Sequence, residues 1–365
     1  MTPVRVLLVA PAPPPYGGMA IQARQLEQLL RTDGNSVGFF PSNFPCPLDL
    51  GRFPFVRTVA RFLAIWPMLW RRMAGVDVVH ILAASWFYFF GVVYPAVLVA
   101  ALRGRRIVVN YRGGEAGEFF RRYGWLAWPV FRIAHCVTTP SEFLAGIIRG
   151  RFGVEVSIVP NILNTSRFVF QRRARFAPKL LVCRHLEEIY DIESVLKAFA
   201  RVQQQFAGAS LWIAGTGSQE ARLRSLAAEW KLCNLRFLGP IPHADLPAIY
   251  NQCDILLNAS KVDNFPGALL EAAAAGLVIV STNPGGIPFV FQNGETAVLV
   301  NVGNWEALAA GVVKIVDDPA AGGCLTENAR RLALSCEWRH VRVALYRSYG
   351  LAQGDGSPVA LESTG

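Results

Sequence analysis

The sequence alternates short apolar runs with amphipathic segments, and this alternation restricts the fold more than any other feature. Five runs in the first half have the length and β-branched content of buried strands: residues 4–10, 76–82, 106–112, 135–141 and 156–162. A helix is predicted between the first two, from about residue 19 to residue 31. Parallel strands with helices on both faces produce this pattern. The first half is therefore predicted to be α/β.

A basic and aromatic stretch at 166–178 has little regularity and is predicted to be a linker. The same pattern then starts again, with apolar runs at 179–184, 210–217, 235–239, 253–260 and 277–282. At 365 residues the chain is long enough for two domains. Two successive α/β units predict two doubly wound parallel sheets that face a central cleft, and such sheets bind ligands beyond the carboxyl ends of their strands.

The net positive charge of the sequence comes entirely from the first half of the chain. Up to residue 173 there are 20 Lys and Arg against 8 Asp and Glu, a net charge of +12, whereas the remainder has 16 against 18, a net charge of −2. This asymmetry favours an anionic partner for the first half, either a membrane surface or a phosphorylated lipid. Nucleic acid is not expected, because no zinc-finger, RNP or basic-helix motif accompanies the charge.

The seven cysteines are scattered without a C-x-x-C pair, and the five histidines have no metal-ligand spacing. This composition predicts reduced thiols, a cytoplasmic location and no metal site. The apolar run at 4–10 is short and ends in prolines, so a buried first strand is preferred to a signal peptide.

Two tracts are apolar enough to be compared with membrane segments. Residues 81–102 carry no charge, but they continue a predicted strand and contain Gly91 and Pro95, which favours a buried strand–helix unit. Residues 53–73 mix arginines with large apolar side chains. This mixture is typical of a helix that lies in a lipid headgroup layer, or of a surface helix with solvated arginines, and both interpretations stay open.

The stretch KVDNFPGALLEAAAAG, residues 261–276, places two carboxylates eight positions apart around a predicted helix start. Pro266 suits the first helical turn, where its missing N–H has no cost, and the next backbone amides would be free to bind an anion such as phosphate. Asp263 and Glu271, on either side, can accept hydrogen bonds from hydroxyls. Together these features describe a site for a sugar nucleotide, although a capping Asp and an exposed helical Glu give the same pattern.

This stretch resembles glycosyltransferase family 4, retaining enzymes of the GT-B fold whose signature is two acidic residues separated by seven. Here Asp263 replaces the usual first Glu. Nine further segments resemble the family in its own order and cover nearly the whole chain: PPPYGGMAIQARQL, VTTPSEFLAGII, IVPNILNTSRF, CRHLEEIYDIESVLKAFA, LWIAGTGSQEARLRSLA, LRFLGPI, ADLPAIYNQCDILLNAS, GLVIVSTNPGGIPFVFQNGETAVLV and CEWRHVRVALY.

The resemblance implies two Rossmann-like domains, an acceptor-binding domain at 1–170 and a donor-binding domain at 177–334. A C-terminal helix at 335–350 is expected to pack back on the first domain, and the polar residues 351–365 are expected to be a disordered tail.

The resemblance also implies roles for single residues. Arg184 would bind phosphate oxygens, Asp263 the hydroxyls of the sugar, and Glu271 the ribose diol. Other positions implied to contact the nucleotide sugar, or in the first loop the diphosphate or acceptor, are Gly17, Gly18, Gly215, Gly217, Phe237, Gly239, Ile241, Asn264, Phe265, Pro266, Gly267, Ala268 and Leu269.

Two departures from the family affect the positive charge of the site. Ile189 and Tyr190 occupy the positions where many members have a Lys, so one cation is missing. Arg112 stands where a loop of the first domain usually offers a His to the transferred sugar. We hypothesise that Arg112 replaces the lost charge from across the cleft; the alternative is an arginine that braces a surface loop.

The resemblance therefore predicts metal-independent, retaining transfer of a sugar from a nucleotide-diphosphate sugar to a lipid-linked or polysaccharide acceptor, in cell-surface or exopolysaccharide biosynthesis. The protein is expected in the cytoplasm or peripherally on the cytoplasmic membrane face. Two alternatives stay open: a non-catalytic scaffold that binds nucleotide sugars, and a nucleotide-sugar epimerase, for which His185 and Glu187 are the only hints of extra acid–base groups.

Overall fold

The computed structural model describes residues 3–14, 17–44 and 54–351, which form two α/β domains. The first contains strands β1 (Arg5–Ala10), β2 (Ser36–Pro41), β3 (Val78–Ala83), β4 (Arg106–Tyr111), β5 (Cys136–Thr139) and β6 (Val156–Ile158). Its helices are α1 (Gly18–Thr32), α2 (Pro54–Arg72), α3 (Trp86–Tyr88), α4 (Tyr94–Leu102), α5 (Ala116–Ile133) and α6 (Glu142–Phe152), and a π-helical stretch, Phe89–Val93, joins α3 to α4.

The second domain repeats this plan after a connection that includes one short 3₁₀ turn, Thr165–Arg167. Its strands are β7 (Lys179–Cys183), β8 (Ser210–Ala214), β9 (Leu235–Gly239), β10 (Ile255–Asn258), β11 (Val278–Thr282) and β12 (Val298–Val300). Its helices are α7 (Ile192–Gln205), α8 (Glu220–Glu229), α9 (Leu246–Tyr250), α10 (Gly267–Ala275), α11 (Ile287–Val290), α12 (Trp305–Asp317) and α13 (Pro319–Ser335), and α14 (Trp338–Ser348) follows.

Each domain is built on a six-stranded sheet in which all paired strands are parallel. The strand orders are β2-β1-β3-β4-β5-β6 and β12-β11-β10-β7-β8-β9. The second is the 3-2-1-4-5-6 order of the dinucleotide-binding fold. The predicted fold class, two doubly wound parallel sheets, is confirmed. The ten predicted strands are present, and the two that the sequence pattern missed, β2 and β12, are edge strands.

Helices cover both faces of both sheets, as parallel sheets require. In the first domain α2, α4, α5 and α6 bury one face, and α1 and α14 bury the other. In the second domain α7 and α12 cover one face, and α10 and α13 cover the other.

The uncharged tract 81–102 folds as the end of β3 followed by the helical segments up to α4. Phe89, Val93, Ala96 and Val97 from this tract are fully buried in the core of the first domain. Within residues 3–14, 17–44 and 54–351, no helix combines the length and the hydrophobicity needed to cross a bilayer.

The last described helix, α14, packs on the sheet of the first domain although it follows the second domain in sequence. Val341, Leu345 and Tyr349 join the apolar cluster that contains β1 and α1. Tyr346 Oη donates to Asp33 Oδ2 (2.9 Å). The chain therefore crosses between the domains twice. Of the predicted tail 351–365, all but Leu351 lies outside the described residues.

His80 on β3 is the buried polar partner of α14. Its Nδ1 lies 2.8 Å from Tyr349 Oη, and its Nε2 has no hydrogen-bond partner among the described residues. Burial, reinforced by the nearby charge of Arg112, lowers the pKa of His80 to about 3. The folded protein therefore holds this imidazole neutral.

We expect His80 to make the protein less stable as the pH falls. The unfolded chain protonates near pH 6.5 but the folded chain only near pH 3, so acid favours unfolding between these values. At about pH 5 the loss is about 2 kcal/mol. Between about pH 7.5 and about pH 5, wild-type protein should lose about 2 kcal/mol more unfolding free energy than His80→Gln, as measured by urea unfolding. An equal loss in both proteins would contradict this assignment.

Candidate functional site

The two domains meet where the loop between β10 and α10 contacts loops of the first domain. Asn264 Nδ2 donates to the carbonyl oxygen of Gly113 (2.8 Å), in the loop after β4. Asn161, which follows β6, donates its Nδ2–H to the carbonyl oxygen of Phe265 (3.2 Å). The contact lies at the carboxyl ends of both sheets, where ligands of open α/β sheets bind. The residues around it form the candidate site.

Helix α10 begins at this junction. Pro266 is its N-cap, in extended conformation (φ −77°, ψ 105°), one position earlier than the predicted place in the first turn. The first backbone bond of the helix runs from the Leu270 amide to the Pro266 carbonyl (3.3 Å). Among the described residues, the amides of Gly267, Ala268 and Leu269 have no acceptor. A helix start with free amides attracts anions.

Arg184, after β7, and Asp263, after the neighbouring strand β10, form an ion pair at the edge of this helix start. Arg184 Nη2 lies 2.7 Å from Asp263 Oδ2, and the side chains are only 13% and 12% exposed. Arg184 Nε also donates to Asn258 Oδ1 (3.1 Å), and the guanidinium carbon lies 5.3 Å from the centre of the Tyr190 ring. The guanidinium of Arg184 therefore lies over the ring of Tyr190, at a distance at which a cation and an aromatic ring attract each other.

Glu271 lies in the middle of α10, and each of its carboxylate oxygens has a partner. Tyr250 Oη donates to Oε2 (2.9 Å) and His243 Nε2 lies 3.2 Å from Oε1. Burial, reinforced by Cys183 and Glu271, raises the pKa of Tyr250 well above its usual range. The phenol therefore keeps its proton and acts as a donor to the carboxylate.

Arg112 approaches the start of α10 from the first domain. Its Nη2 donates to Asn161 Oδ1, and the same Asn161 side chain donates to Phe265. Burial lowers the pKa of Arg112 to about 10, although part of the residue remains exposed. The arginine is thus one side chain away from the helix start, and it remains a cation at neutral pH.

The loop after β8 supports the segment that carries Arg184. Gly215 has φ +141°, and a Cβ there would lie 1.9 Å from the Arg184 carbonyl oxygen. A Cβ on Gly217 would lie 2.4 Å from the carbonyl oxygen of Leu186. The Gly215 amide donates to the Gly239 carbonyl (2.8 Å) at the end of β9. These glycines let three strand ends approach each other closely.

The other predicted contact positions differ in their surroundings. Gly17 and Gly18, at the start of α1, have open space where a Cβ would be. The guanidinium carbon of Arg224, on α8, lies 4.4 Å from the centre of the Phe237 ring. The ring therefore packs against a side chain of α8. Ile241 is partly buried against the apolar cluster around α10.

Sequence reasoning missed several residues that hold the candidate site together. They are Asn161, Asn258, Tyr250 and His243, which act through their side chains, and Gly285 and Gly286, which act through their backbone. The Gly286 amide donates to the Asp263 carbonyl (2.8 Å), and a Cβ at Gly286 would lie 1.9 Å from the Asn264 carbonyl oxygen. Five of these six residues lie in the segments that resemble the family, and His243 lies between two of those segments. The sequence shows no signal for which partner each side chain contacts.

His185 and Glu187, the two residues that hinted at extra acid–base groups near Arg184, differ in their surroundings. The Glu187 carboxylate accepts hydrogen bonds from the Ser218 amide (2.9 Å) and hydroxyl (2.5 Å), and His185 is exposed. Across the described part of the chain, no three His, Cys, Asp or Glu side chains converge as metal ligands would.

Comparisons with protein-family models divide the chain into the same two halves. Residues 170–332 match the model for glycosyl transferases group 1, and residues 16–167 match the model for Glycosyltransferase Family 4. The chain is 31% identical over 301 residues to a glycogen synthase of Mycobacterium tuberculosis, covering 77% of this chain and 70% of that protein. It is 25% identical over 236 residues to the lipopolysaccharide core biosynthesis glycosyltransferase LpsE of Rhizobium meliloti, covering 61% of this chain and 66% of the other.

Solved structures share the same arrangement of two domains. HepE of Anabaena, solved in complex with UDP, superposes with a TM-score of 0.75 at 15% identity, covering 95% of this chain and all of that one. Sucrose-phosphate synthase of Thermosynechococcus elongatus superposes with a TM-score of 0.76 at 19% identity, covering 95% and 98%. The resemblance inferred from sequence is confirmed: the chain belongs to the group 1 glycosyltransferases of the GT-B fold, with an N-terminal half that matches Glycosyltransferase Family 4.

Proposed function

We propose that the protein is a retaining, metal-independent glycosyltransferase that moves a sugar from a nucleotide-diphosphate sugar to a hydroxyl of a lipid-linked or polysaccharide acceptor, in the synthesis of cell-surface polysaccharide. One observation carries this proposal: the free amides of α10, Arg184, Asp263 and Glu271 are gathered at the junction of the domains. The structures of HepE with UDP and with UDP-glucose support a nucleotide sugar as donor.

The chemistry follows from charge that develops on the leaving diphosphate. The partial positive charge of the α10 start and the guanidinium of Arg184 lie where they would stabilise that charge. Asp263, paired with Arg184, would bind hydroxyls of the transferred sugar, and Glu271 would accept hydrogen bonds from the ribose diol. Arg112 would add positive charge from the first domain.

Unpaired polar atoms in the first domain support an acceptor site there. Asn110 Oδ1, Thr138 Oγ1 and Ser141 Oγ are buried and have no hydrogen-bond partner among the described residues. Asn110 and Thr138 are register partners near the carboxyl ends of β4 and β5, on the edge of the sheet that faces the junction. Buried polar groups without partners are uncommon, and their place at this edge of the sheet supports a polar ligand bound nearby.

The surface of the first domain supports peripheral contact with a membrane at its cytoplasmic face. Of the fifteen large apolar side chains that are exposed in the described part of the chain, ten lie between α2 and α5. Leu63 on α2 is 64% exposed and Trp125 on α5 is 72% exposed. Arginines lie beside this apolar surface, and Arg103 stacks on Trp70 at 4.0 Å. Apolar side chains among arginines suit an interface with anionic lipid.

We expect the two carboxylates of the proposed donor site to be essential for activity. Asp263→Asn and Glu271→Gln should remain folded but lose about 10- to 100-fold in donor turnover, because a hydrogen bond to a charged group contributes about 1.5–3 kcal/mol. Glu306→Ala, which removes an exposed carboxylate on α12, is the matched control.

A thermal-shift screen with UDP, GDP and ADP identifies the nucleotide, and hydrolysis or transfer of its sugars measures turnover. Wild-type rates in both variants would contradict the proposed site. Nucleotide binding without turnover would favour a scaffold, and product isomers without transfer would favour an epimerase.

Arg112 should affect turnover more than binding if its charge acts on the leaving diphosphate. Arg112→Ala is expected to lower kcat by about tenfold or more, with a smaller effect on KM for the donor. Arg112→Lys, which keeps the charge, should recover part of the loss. Arg201→Ala on the exposed face of α7 serves as control. If Arg112→Ala and Arg201→Ala behave alike, Arg112 only braces its loop.

The membrane surface can be tested with vesicles. Wild-type protein should co-sediment with vesicles of phosphatidylglycerol and phosphatidylcholine, and high salt should weaken the binding because it screens the arginines. The double variant Leu63→Glu/Trp125→Glu should bind about tenfold more weakly. Val302→Glu, an exposed apolar residue of the second domain, should bind like wild type. Unchanged binding of the double variant would exclude this surface.

A further inference from the structure

One segment of the second domain supplies both partners of the Glu271 carboxylate. This segment runs from the end of β9 through α9, residues 240–250. Tyr250, at the end of α9, donates to Oε2 (2.9 Å), and His243, before α9, lies with Nε2 3.2 Å from Oε1. The carboxylate is 14% exposed and the imidazole is 44% exposed. His243 therefore lies at the solvent side of a carboxylate whose other side is buried.

The hydrogen bonds of His243 determine which ring nitrogen carries the proton. Arg167 Nη1 lies 2.5 Å from Nδ1 and 3.3 Å from Nε2, and Arg167 Nη2 donates to the His243 carbonyl oxygen. An arginine can only donate, so the closer nitrogen, Nδ1, accepts. The neutral ring then has its proton on Nε2, directed at Glu271. Arg167 belongs to the Thr165–Arg167 turn in the connection between the two domains.

We propose that His243 is a positioning residue for ribose recognition: it orients the Glu271 carboxylate so that this group accepts both hydroxyls of the nucleotide's ribose. The inference rests on the proposed function, in which Glu271 binds the ribose. The inference assigns a role to His243, which belongs neither to the acidic pair Asp263 and Glu271 nor to the start of α10.

The Glu271 carboxylate can accept hydrogen bonds from Tyr250 and His243 and still have acceptor sites left for the ribose. An ionised carboxylate has about four lone-pair sites, two on each oxygen. Tyr250 uses one site on Oε2 and His243 uses one on Oε1, which leaves one site on each oxygen. Two donors at opposite oxygens also fix the plane of the group. A vicinal diol presents two adjacent hydroxyls and matches such a pair of acceptors, so pre-orientation lowers the entropy lost on binding.

The proposal can be tested by comparing a ribonucleotide with its 2′-deoxy counterpart. We would use the nucleoside diphosphate that binds wild type most tightly among UDP, GDP and ADP, and measure both affinities by isothermal titration calorimetry. His243→Ala should bind the ribonucleotide about tenfold more weakly than wild type. Its affinity for the 2′-deoxy nucleotide should change much less, so the preference for ribose shrinks.

Two further variants separate positioning from a general effect on the fold. His243→Gln places an amide N–H near the position of Nε2 and should restore most of the preference for ribose. His340→Ala, an exposed histidine on α14, should leave both affinities unchanged. Arg167→Ala, which removes the partner of Nδ1, should reduce the preference in the same direction as His243→Ala.

The outcomes that overturn the inference are distinct from those that overturn the proposed function. Wild-type protein that binds none of the three nucleotides, or that binds ribo and deoxy forms equally, overturns the role of Glu271 and this inference with it. If wild type prefers ribose and His243→Ala keeps that preference, only the inference is overturned. Tighter ribonucleotide binding by His243→Ala would also overturn it, since His243 would then compete with the ribose.

Discussion

The site depends on how the loop between β10 and α10 is held by backbone groups around it. The Gly286 amide donates to the Asp263 carbonyl (2.8 Å), and Asn264 donates to the Gly113 carbonyl (2.8 Å). The first bond joins the loop to its own domain, and the second joins it to the opposite domain. Because the loop is fixed at both sides, the Asp263 side chain can meet Arg184 and α10 can begin with its amides free. Loss of either bond would disturb the ion pair and the helix start together.

The contacts between the two domains therefore form part of the candidate site itself. The chain passes from the first domain to the second near Arg167 and returns through α14, so two covalent connections limit how the domains can move. Asn161 contacts both Arg112 and the carbonyl of Phe265. A change in the distance between the domains would alter this chain of contacts at the start of α10. The charge that Arg112 brings to the cleft hence depends on the domains being close.

The sequence predicted the buried parts of the fold and named residues that the structure brings together in the candidate site, but it did not predict which side chains contact each other. Central strands such as β3 are buried on both faces and form long apolar runs, which sequence periodicity detects. The edge strands β2 and β12 were missed because both are partly exposed. In addition β12 has only three residues, and β2 contains Gly38 and ends at Pro41. Arg184 and Asp263 were each predicted as site residues, and the structure brings them into contact. That contact joins residues far apart in sequence, and side-chain partners of this kind leave no periodic signal.

In the proposed reaction, the balance of charge at the candidate site gives Arg112 more importance than an arginine at a domain junction usually has. Among the described residues of the second domain, Arg184 is the one cation paired with Asp263 beside the start of α10. Its Nη2 lies 2.7 Å from Asp263 Oδ2, so the carboxylate already neutralises its charge. Tyr190 places an aromatic ring beside Arg184 and adds no positive charge. The remaining attraction for a diphosphate comes from the partial charge of the α10 amides, about half an elementary charge, and from Arg112. A partial charge alone compensates little of a diphosphate. In the proposed reaction the first domain must therefore supply a cation, and a donor bound between the domains would draw them together.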